Sequence, residues 1–234
     1  MDKGVARDRP SPRNRRVTRR GWLRAVAWGL AGYLGLAVLS TGLMFAGVAV
    51  TRVLGQDPRA KDDSLPRIKH LRWVDDELLA GAQPHRGDYV GLADLGVSLV
   101  VDVRTGSDDD PVLDDPDYLA SLGMDYLQLP IRDGRVPTQA TLRRFVDSVE
   151  AADGLVFMHC GGGVGRSTSL QAAYLAARGE HPSLWEHLAV GPPTLEQALF
   201  IASAAPGDPT NEGLAVSLVS RALDAPRRIL SLIK

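Results

Sequence analysis

The chain has one cysteine in 234 residues, a formal net charge of −1, no internal repeat, and one long stretch without a charged side chain. Each scarcity narrows the reading. A lone cysteine has no intrachain partner, so there is no disulfide framework to hold the fold. A net charge this close to zero singles out neither an acidic nor a basic partner. The length leaves room for one enzyme-sized domain of roughly 150 residues plus appendages.

The uncharged stretch runs from Ala25 to Thr51. At helical rise it measures about 40 Å, more than the roughly 30 Å hydrocarbon core of a bilayer. It exceeds the roughly 7–15 apolar residues of a signal-peptide core, and no convincing Ala-x-Ala cleavage site closes it. A buried helix of a soluble core seldom needs such length, so a single-pass signal anchor is expected. Lys3, Arg7, Arg9, Arg13, Arg15, Arg16, Arg19, Arg20 and Arg24 precede it. Beyond it, Arg52, Arg59, Lys61, Arg67 and Lys69 are diluted by Asp57, Asp62 and Asp63. The positive-inside rule therefore predicts a cytoplasmic N-terminus, with the rest of the chain extracytoplasmic. A basic arm can bind nucleic acid, but beside a span it reads as an orientation signal, and no nucleic-acid partner is expected.

The expected organisation is a basic tail over 1–24, a membrane helix over 25–53, a linker over 54–69, a soluble domain over 70–205 and a helical segment over 206–234. In the soluble domain, Leu71–Val74 and Glu77–Ala80 read as paired strands. The β-branched run Val97–Val103, then Asp125–Leu129 and Leu155–His159, read as further strands. Helical patterns over Asp88–Leu95, Asp117–Leu122, Thr138–Ala151, Arg166–Ala177, Ser183–Leu188 and Thr194–Ala204 separate or follow them. Thr194 with Gln197 three residues on is a capping box. Strands alternating with helices predict an α/β fold, a central largely parallel sheet flanked by helices, preceded by one transmembrane helix. The tail from Asn211 mixes apolar and basic residues around Pro226. It reads as a last helix packing on the domain and kinked at Pro226, or as an amphipathic segment on the membrane surface.

The most specific feature is the run from His159 through Thr168. It sets Cys160 six residues before Arg166 across Gly161, Gly162, Gly163, Val164 and Gly165, directly after an apolar strand. A strand ending in a Gly-rich loop that opens a helix gathers backbone N–H groups around one point, where the helix terminus adds partial positive charge. A thiol at that point should have a depressed pKa and act as a nucleophilic thiolate. Arg166 offers a planar fork to two oxygens of one phosphate. A nucleotide P-loop would need Gly in place of Cys160 and Lys in place of Arg166. A buried structural cysteine would sit poorly among four glycines and an arginine.

This run resembles the His-Cys-x5-Arg-Ser/Thr signature of cysteine-dependent tyrosine and dual-specificity phosphatases, with Gly163 and Gly165 matching the dual-specificity subpattern. A rhodanese-like sulfur carrier is the other cysteine-in-anion-loop family. Leu78 to Pro84, Leu92 to Gly96, Val100 to Arg104 and Gly191 to Gln197 also look like segments of compact bacterial and archaeal dual-specificity phosphatases. The resemblance covers roughly residues 70–205.

It implies covalent phosphate chemistry. Cys160 attacks phosphorus, and Arg166 with the amides of residues 161–166 holds the equatorial oxygens. Ser167 hydrogen-bonds the sulfur as the second step begins. His159 orients the loop through hydrogen bonds rather than holding a metal, and neither metal nor other cofactor is expected. A phosphate ester also needs a proton donor for its leaving oxygen. Asp133, between Pro130 and Pro137 after a predicted strand, is the best candidate, on a loop expected to be mobile. It resembles the Pro-x-x-Asp-x-x-x-Pro general-acid loop of that group. Asp125 and the cluster Asp108–Asp110, Asp114, Asp115 and Asp117 compete, the cluster reading as a solvated loop. The expected substrate is a phosphorylated protein, because Gly161, Gly162 and Val164 supply none of the cations that lipid-phosphate versions often carry. A phospholipid phosphate, to which membrane attachment points, and an inactive phosphate-binding module are the alternatives.

Overall fold

The computed structural model describes residues 19–54, 65–106, 114–205, 207 and 214–231. A five-stranded sheet forms its centre, in the order β1-β2-β5-β3-β4. The strands are β1 Arg72–Trp73, β2 Leu78–Ala82, β3 Val97–Asp102, β4 Asp125–Gln128 and β5 Leu155–Cys160. β1 pairs antiparallel with β2, whereas β2, β5, β3 and β4 run parallel. Parallel strands need helical crossovers that cover both faces of the sheet, so its central strands are apolar on both sides. Alternate side chains of β5 accordingly face opposite layers. Val156, Met158 and Cys160 join one core with Leu142, Phe145, Leu170 and Ile201. Phe157 joins the other with Leu79, Leu92, Val100 and Leu119.

The helices are α1 Arg19–Val53, α2 Asp88–Asp94, α3 Pro116–Ser121, α4 Gln139–Ala151, α5 Arg166–Ala177, α6 Leu184–Val190, α7 Leu195–Ser203 and α8 Leu214–Ser231. Their starts follow local chemistry. Asp115, Thr138 and Ser183 cap α3, α4 and α6 with side-chain oxygens. The capping box at Thr194 and Gln197 is formed in full. The domain core already includes Ile68, which packs with Leu79 and Phe157.

Helix α1 is long and apolar enough to cross a membrane. Trp28, Leu34, Val38, Leu43 and Val53 along it are exposed. It also leans on the domain, contacting α6 and α8. Ala37, Val48 and Thr51 are buried there. Arg52 Nε and Nη2 donate to the carbonyls of Ala189 and Val190 at 2.9 and 3.0 Å, satisfying the end of α6. Tyr33 donates to the Ala222 carbonyl of α8. α8 packs on α7 and runs as one helix from Leu214 to Ser231, with Pro226 inside it.

Buried His187 on α6 predicts a pH response. Burial, and secondarily the charge of Arg72, outweigh a hydrogen bond with the Ser183 carbonyl and hold its pKa near 4 against an ordinary 6.5. The neutral ring is therefore favoured in the folded protein. Its contribution to stability is complete above pH 6.5 and is lost as pH falls toward 4. The slope approaches about 1.4 kcal/mol per pH unit in that window. Urea unfolding at pH 7.5 and pH 5 should show the loss, and His187→Leu should flatten that part of the profile.

Candidate active site

The central strand β5 ends on Cys160, at the carboxyl edge of the parallel sheet where α/β folds bind ligands. Residues 161–165 turn back into α5, whose first residue is Arg166. The turn depends on Gly163, which has φ 70° and lies so close to β2 that a Cβ would stand 2.5 Å from the Ala82 nitrogen. No other side chain fits there. That approach brings the Gly163 N–H to 3.2 Å from Cys160 Sγ. Ser167 Oγ lies 3.5 Å from the same sulfur. Thr168 donates to the Val164 and Gly165 carbonyls, and Ser169 Oγ to Gly165 at 2.9 Å. The back of the loop is thus hydrogen-bonded, while the amino end of the 12-residue α5 faces its front.

Asp133 reaches this cradle from the segment between β4 and α4. Its Oδ1 stands 3.6 Å from Arg166 Nε, with half the carboxylate side chain exposed and the guanidinium buried. Its loop is tied to α7 at several points. Thr194 Oγ1 donates to the Gly134 carbonyl at 3.1 Å, Gln197 Nε2 to Arg135 at 3.1 Å, and Arg135 pairs with Glu196 at 3.2 Å. These contacts join the loop to the capped start of α7.

Asp133, Cys160, Gly162, Val164, Gly165 and Arg166 line one cavity of about 330 Å³. Gly161 and Gly163 serve the loop from behind, and Ser167 lies under the cysteine. The wall also takes Lys69, His70, Pro192, Thr194, Gln197 and Asp224. Sequence reasoning did not single out any of these for the site. Asp224 comes from α8, where its Oδ2 accepts a hydrogen bond from Ser220 Oγ at 3.2 Å.

His159 points away from the cavity into a buried polar network. Its Nε2 lies 2.7 Å from Asp114 Oδ2. Arg104 pairs with Asp102 at 2.9 Å and Asp114 at 3.3 Å, and Gln83 donates to Asp114 at 2.6 Å. Burial alone would raise the Asp114 pKa, but hydrogen bonds from His159 and Gln83 outweigh it and hold the carboxyl down at about 2. Asp114 is therefore a buried anchor for His159, not part of a solvated acidic loop. Its neighbour Asp115 caps α3, and Asp125 sits exposed at the start of β4. Asp108–Asp110 lie outside the described residues. Asp102, Asp114 and His159 bring three ligand-type atoms within 4.8 Å of one another. Arg104 pairs with both carboxylates, so the cluster contains one cation supplied by the protein itself.

A strand–loop–helix cradle with a cysteine at its base and an arginine at its rim defines a cysteine-dependent phosphatase domain. Residues 68–202 match the family described as PTP-SAK, Swiss Army Knife protein, DSP-PTPase phosphatase domain, and the chain belongs to that family. A 53-residue segment is 42% identical to human dual specificity protein phosphatase CDC14C, covering 23% of this chain and 12% of that protein. The match thus spans only a small part of that relative's length. Among solved structures the chain is similar to a DUF442 protein of Shewanella putrefaciens CN-32, with 18% identity and a TM-score of 0.49 over 70% of this chain and 97% of that one. It is also similar to P. aeruginosa TpbA in complex with pTyr, with 24% identity and a TM-score of 0.46 over 70% of this chain and 94% of that one.

Proposed function

We propose that the chain is a membrane-anchored phosphatase that hydrolyses phosphomonoesters on protein, phosphotyrosine foremost and phosphoserine or phosphothreonine with it, through a cysteinyl-phosphate intermediate. The observation that carries this reading is the single cavity shared by Cys160, the loop, Arg166 and Asp133. Cys160, as thiolate, forms the S–P bond as the ester P–O bond breaks. The electron pair leaves on the ester oxygen, which takes a proton from Asp133. Arg166 and the loop amides hold the three equatorial oxygens and stabilise the charge that builds on them. Water then attacks phosphorus, Asp133 takes its proton, and the S–P bond breaks. The Ser167 hydroxyl donates to the departing sulfur.

Two features support a protein substrate. Gly161, Gly162 and Val164 bring no cation to the loop. The cavity wall sets the carboxylates of Asp133 and Asp224 against Lys69 and Arg166, which suits one phosphate better than two. A lipid phosphomonoester is the second reading, favoured by the contact of α8, which carries Asp224, with the apolar α1. In this proposal α1 crosses the bilayer with a cytoplasmic N-terminus, and the catalytic domain is extracytoplasmic.

The deciding experiment compares turnover of phosphotyrosine peptides with that of phosphatidylglycerophosphate vesicles by the full chain. Faster turnover of the peptides is expected; preference for the vesicles would reassign the substrate. For the acid, Asp133→Ala should lower kcat by roughly 10²–10⁴. The loss should be smaller for p-nitrophenyl phosphate, whose leaving group needs little protonation. An unchanged rate on phosphotyrosine would move the role to another carboxylate.

A further inference from the structure

Ahead of and within β1, Lys69 to Arg72 run alongside the phosphate loop, with Lys69 and His70 at the cavity wall and Arg72 buried behind it. Two of their side chains reach its carbonyls. His70 Nδ1 lies 2.8 Å from the Gly162 oxygen, and Arg72 Nη1 donates to the Gly163 oxygen at 3.1 Å. The Gln83 N–H holds the preceding carbonyl, Gly161, at 3.2 Å. In a trans peptide the C=O and the following N–H point in opposite directions. Three successive carbonyls drawn backward therefore turn the amides of Gly162, Gly163 and Val164 toward the front of the loop. The 3.2 Å contact from Gly163 N–H to Cys160 Sγ is the visible result, across the same peptide plane that His70 holds.

Both side chains are kept where they are at a cost. His70 adopts φ 59°, the one non-glycine among the described residues with positive φ. Such backbone strain persists where the surroundings demand it. Arg72 is fully buried, and its Nη2 has no hydrogen-bond partner among the described residues. Its other contacts are fixed, with Nε donating to Gln171 at 2.8 Å and Nη1 also to the His70 carbonyl at 3.1 Å. Burial lowers the Arg72 pKa to about 10, and attraction to Cys160 opposes that fall. The guanidinium therefore remains charged at neutral pH.

We propose that His70 and Arg72 are positioning residues of this site: together they aim the phosphate-loop amides at the bound oxyanion, and Arg72 places a second fixed positive charge behind Cys160. His70 carries its proton on Nδ1 in this arrangement, because a carbonyl can only accept. Arg166 grips the phosphate from the front, while Arg72 acts through the loop and does not touch it. The inference rests on the phosphatase reading only in calling the bound oxyanion a substrate.

The test uses the full chain, two disrupting variants and one rescue variant, His70→Asn. His70→Gly removes the ring and relieves the positive φ, so lost function cannot be ascribed to a strained backbone. Arg72→Met keeps an unbranched side chain but removes the charge and the donors. Three readouts are taken: inorganic phosphate affinity by calorimetry, the rate of Cys160 alkylation by iodoacetamide across pH 5–9, and kcat with KM on p-nitrophenyl phosphate. His70→Gly and Arg72→Met should each bind phosphate roughly tenfold more weakly, about one hydrogen bond's worth. Alkylation at neutral pH should slow severalfold in Arg72→Met, and His70→Asn, which tolerates positive φ and retains a donor, should recover part of the affinity. Parent-like phosphate affinity in a His70→Gly protein of parent-like melting temperature would overturn the proposal, whether or not Arg72→Met folds. Weakened phosphate binding in the variants of a parent that turns nothing over would instead sink the phosphatase reading and leave the positioning role standing.

Discussion

Replacing Cys160 by serine is expected to reduce turnover of p-nitrophenyl phosphate by more than roughly 10⁴-fold, because a serine hydroxyl is almost wholly un-ionised at neutral pH and Asp133 is the proton donor, not a base, in the attack step. The substitution is nearly isosteric, at a side chain only 2% exposed and packed against Ser167 and the Gly163 amide. Folding and phosphate binding should survive it. Steady-state kinetics of parent and variant, with calorimetric phosphate titration of both, separate enzyme from binding module. An enzyme loses rate and keeps affinity. A parent no faster than Cys160→Ser would be a phosphate-capture domain, with the loop serving recognition alone.

Arg166→Ala is expected to lower kcat by about 10³–10⁵, the range found where an arginine stabilises phosphoryl-transfer charge. Arg166→Lys should recover only part of this, because an ammonium restores charge but not the two parallel donors of the guanidinium fork. The side chain is held for this task. It is buried at the first position of α5, with Asp133 at 3.6 Å. Loss of Arg166 leaves the loop amides in place, so some phosphate affinity should remain while kcat falls further than KM rises. A raised KM with kcat unchanged would mean that Arg166 binds substrate and transition state alike.

The parts of this site that were legible in the chain are those made by neighbours in sequence. Cys160, the glycines and Arg166 lie within seven consecutive residues, and a strand–loop–helix passage curls such a run around one point without distant help. The helix starts at Thr138, Ser183 and Thr194 were legible for the same reason, since a cap is a contact over three residues. Asp133 could be picked out from its Pro-framed loop, but its distance from Arg166 could not.

Other features belong to the fold. Arg72 and Gln171 are 99 positions apart, and Asp114 and His159 are 45 apart; only the packing of β1 and α3 around β5 brings such pairs within hydrogen-bond reach. One signal was available. A charged residue inside the apolar run Leu71 to Val74 is costly to bury unless it is paired, which marks Arg72 as a residue with a partner to find. No comparable mark distinguishes Asp114 from the acidic residues around it, since a carboxylate declares itself an anchor only when His159 and Arg104 stand against it.

The strength of the phosphate cradle is therefore written in one short stretch, because backbone geometry and glycine are local matters. What aims that cradle is different. His70, Arg72, the α7 clamp on the Asp133 loop and the carboxylate that α8 adds to the cavity are long-range contacts. Their energy depends on burial and on directions across strands and helices, and neither exists until the chain has folded.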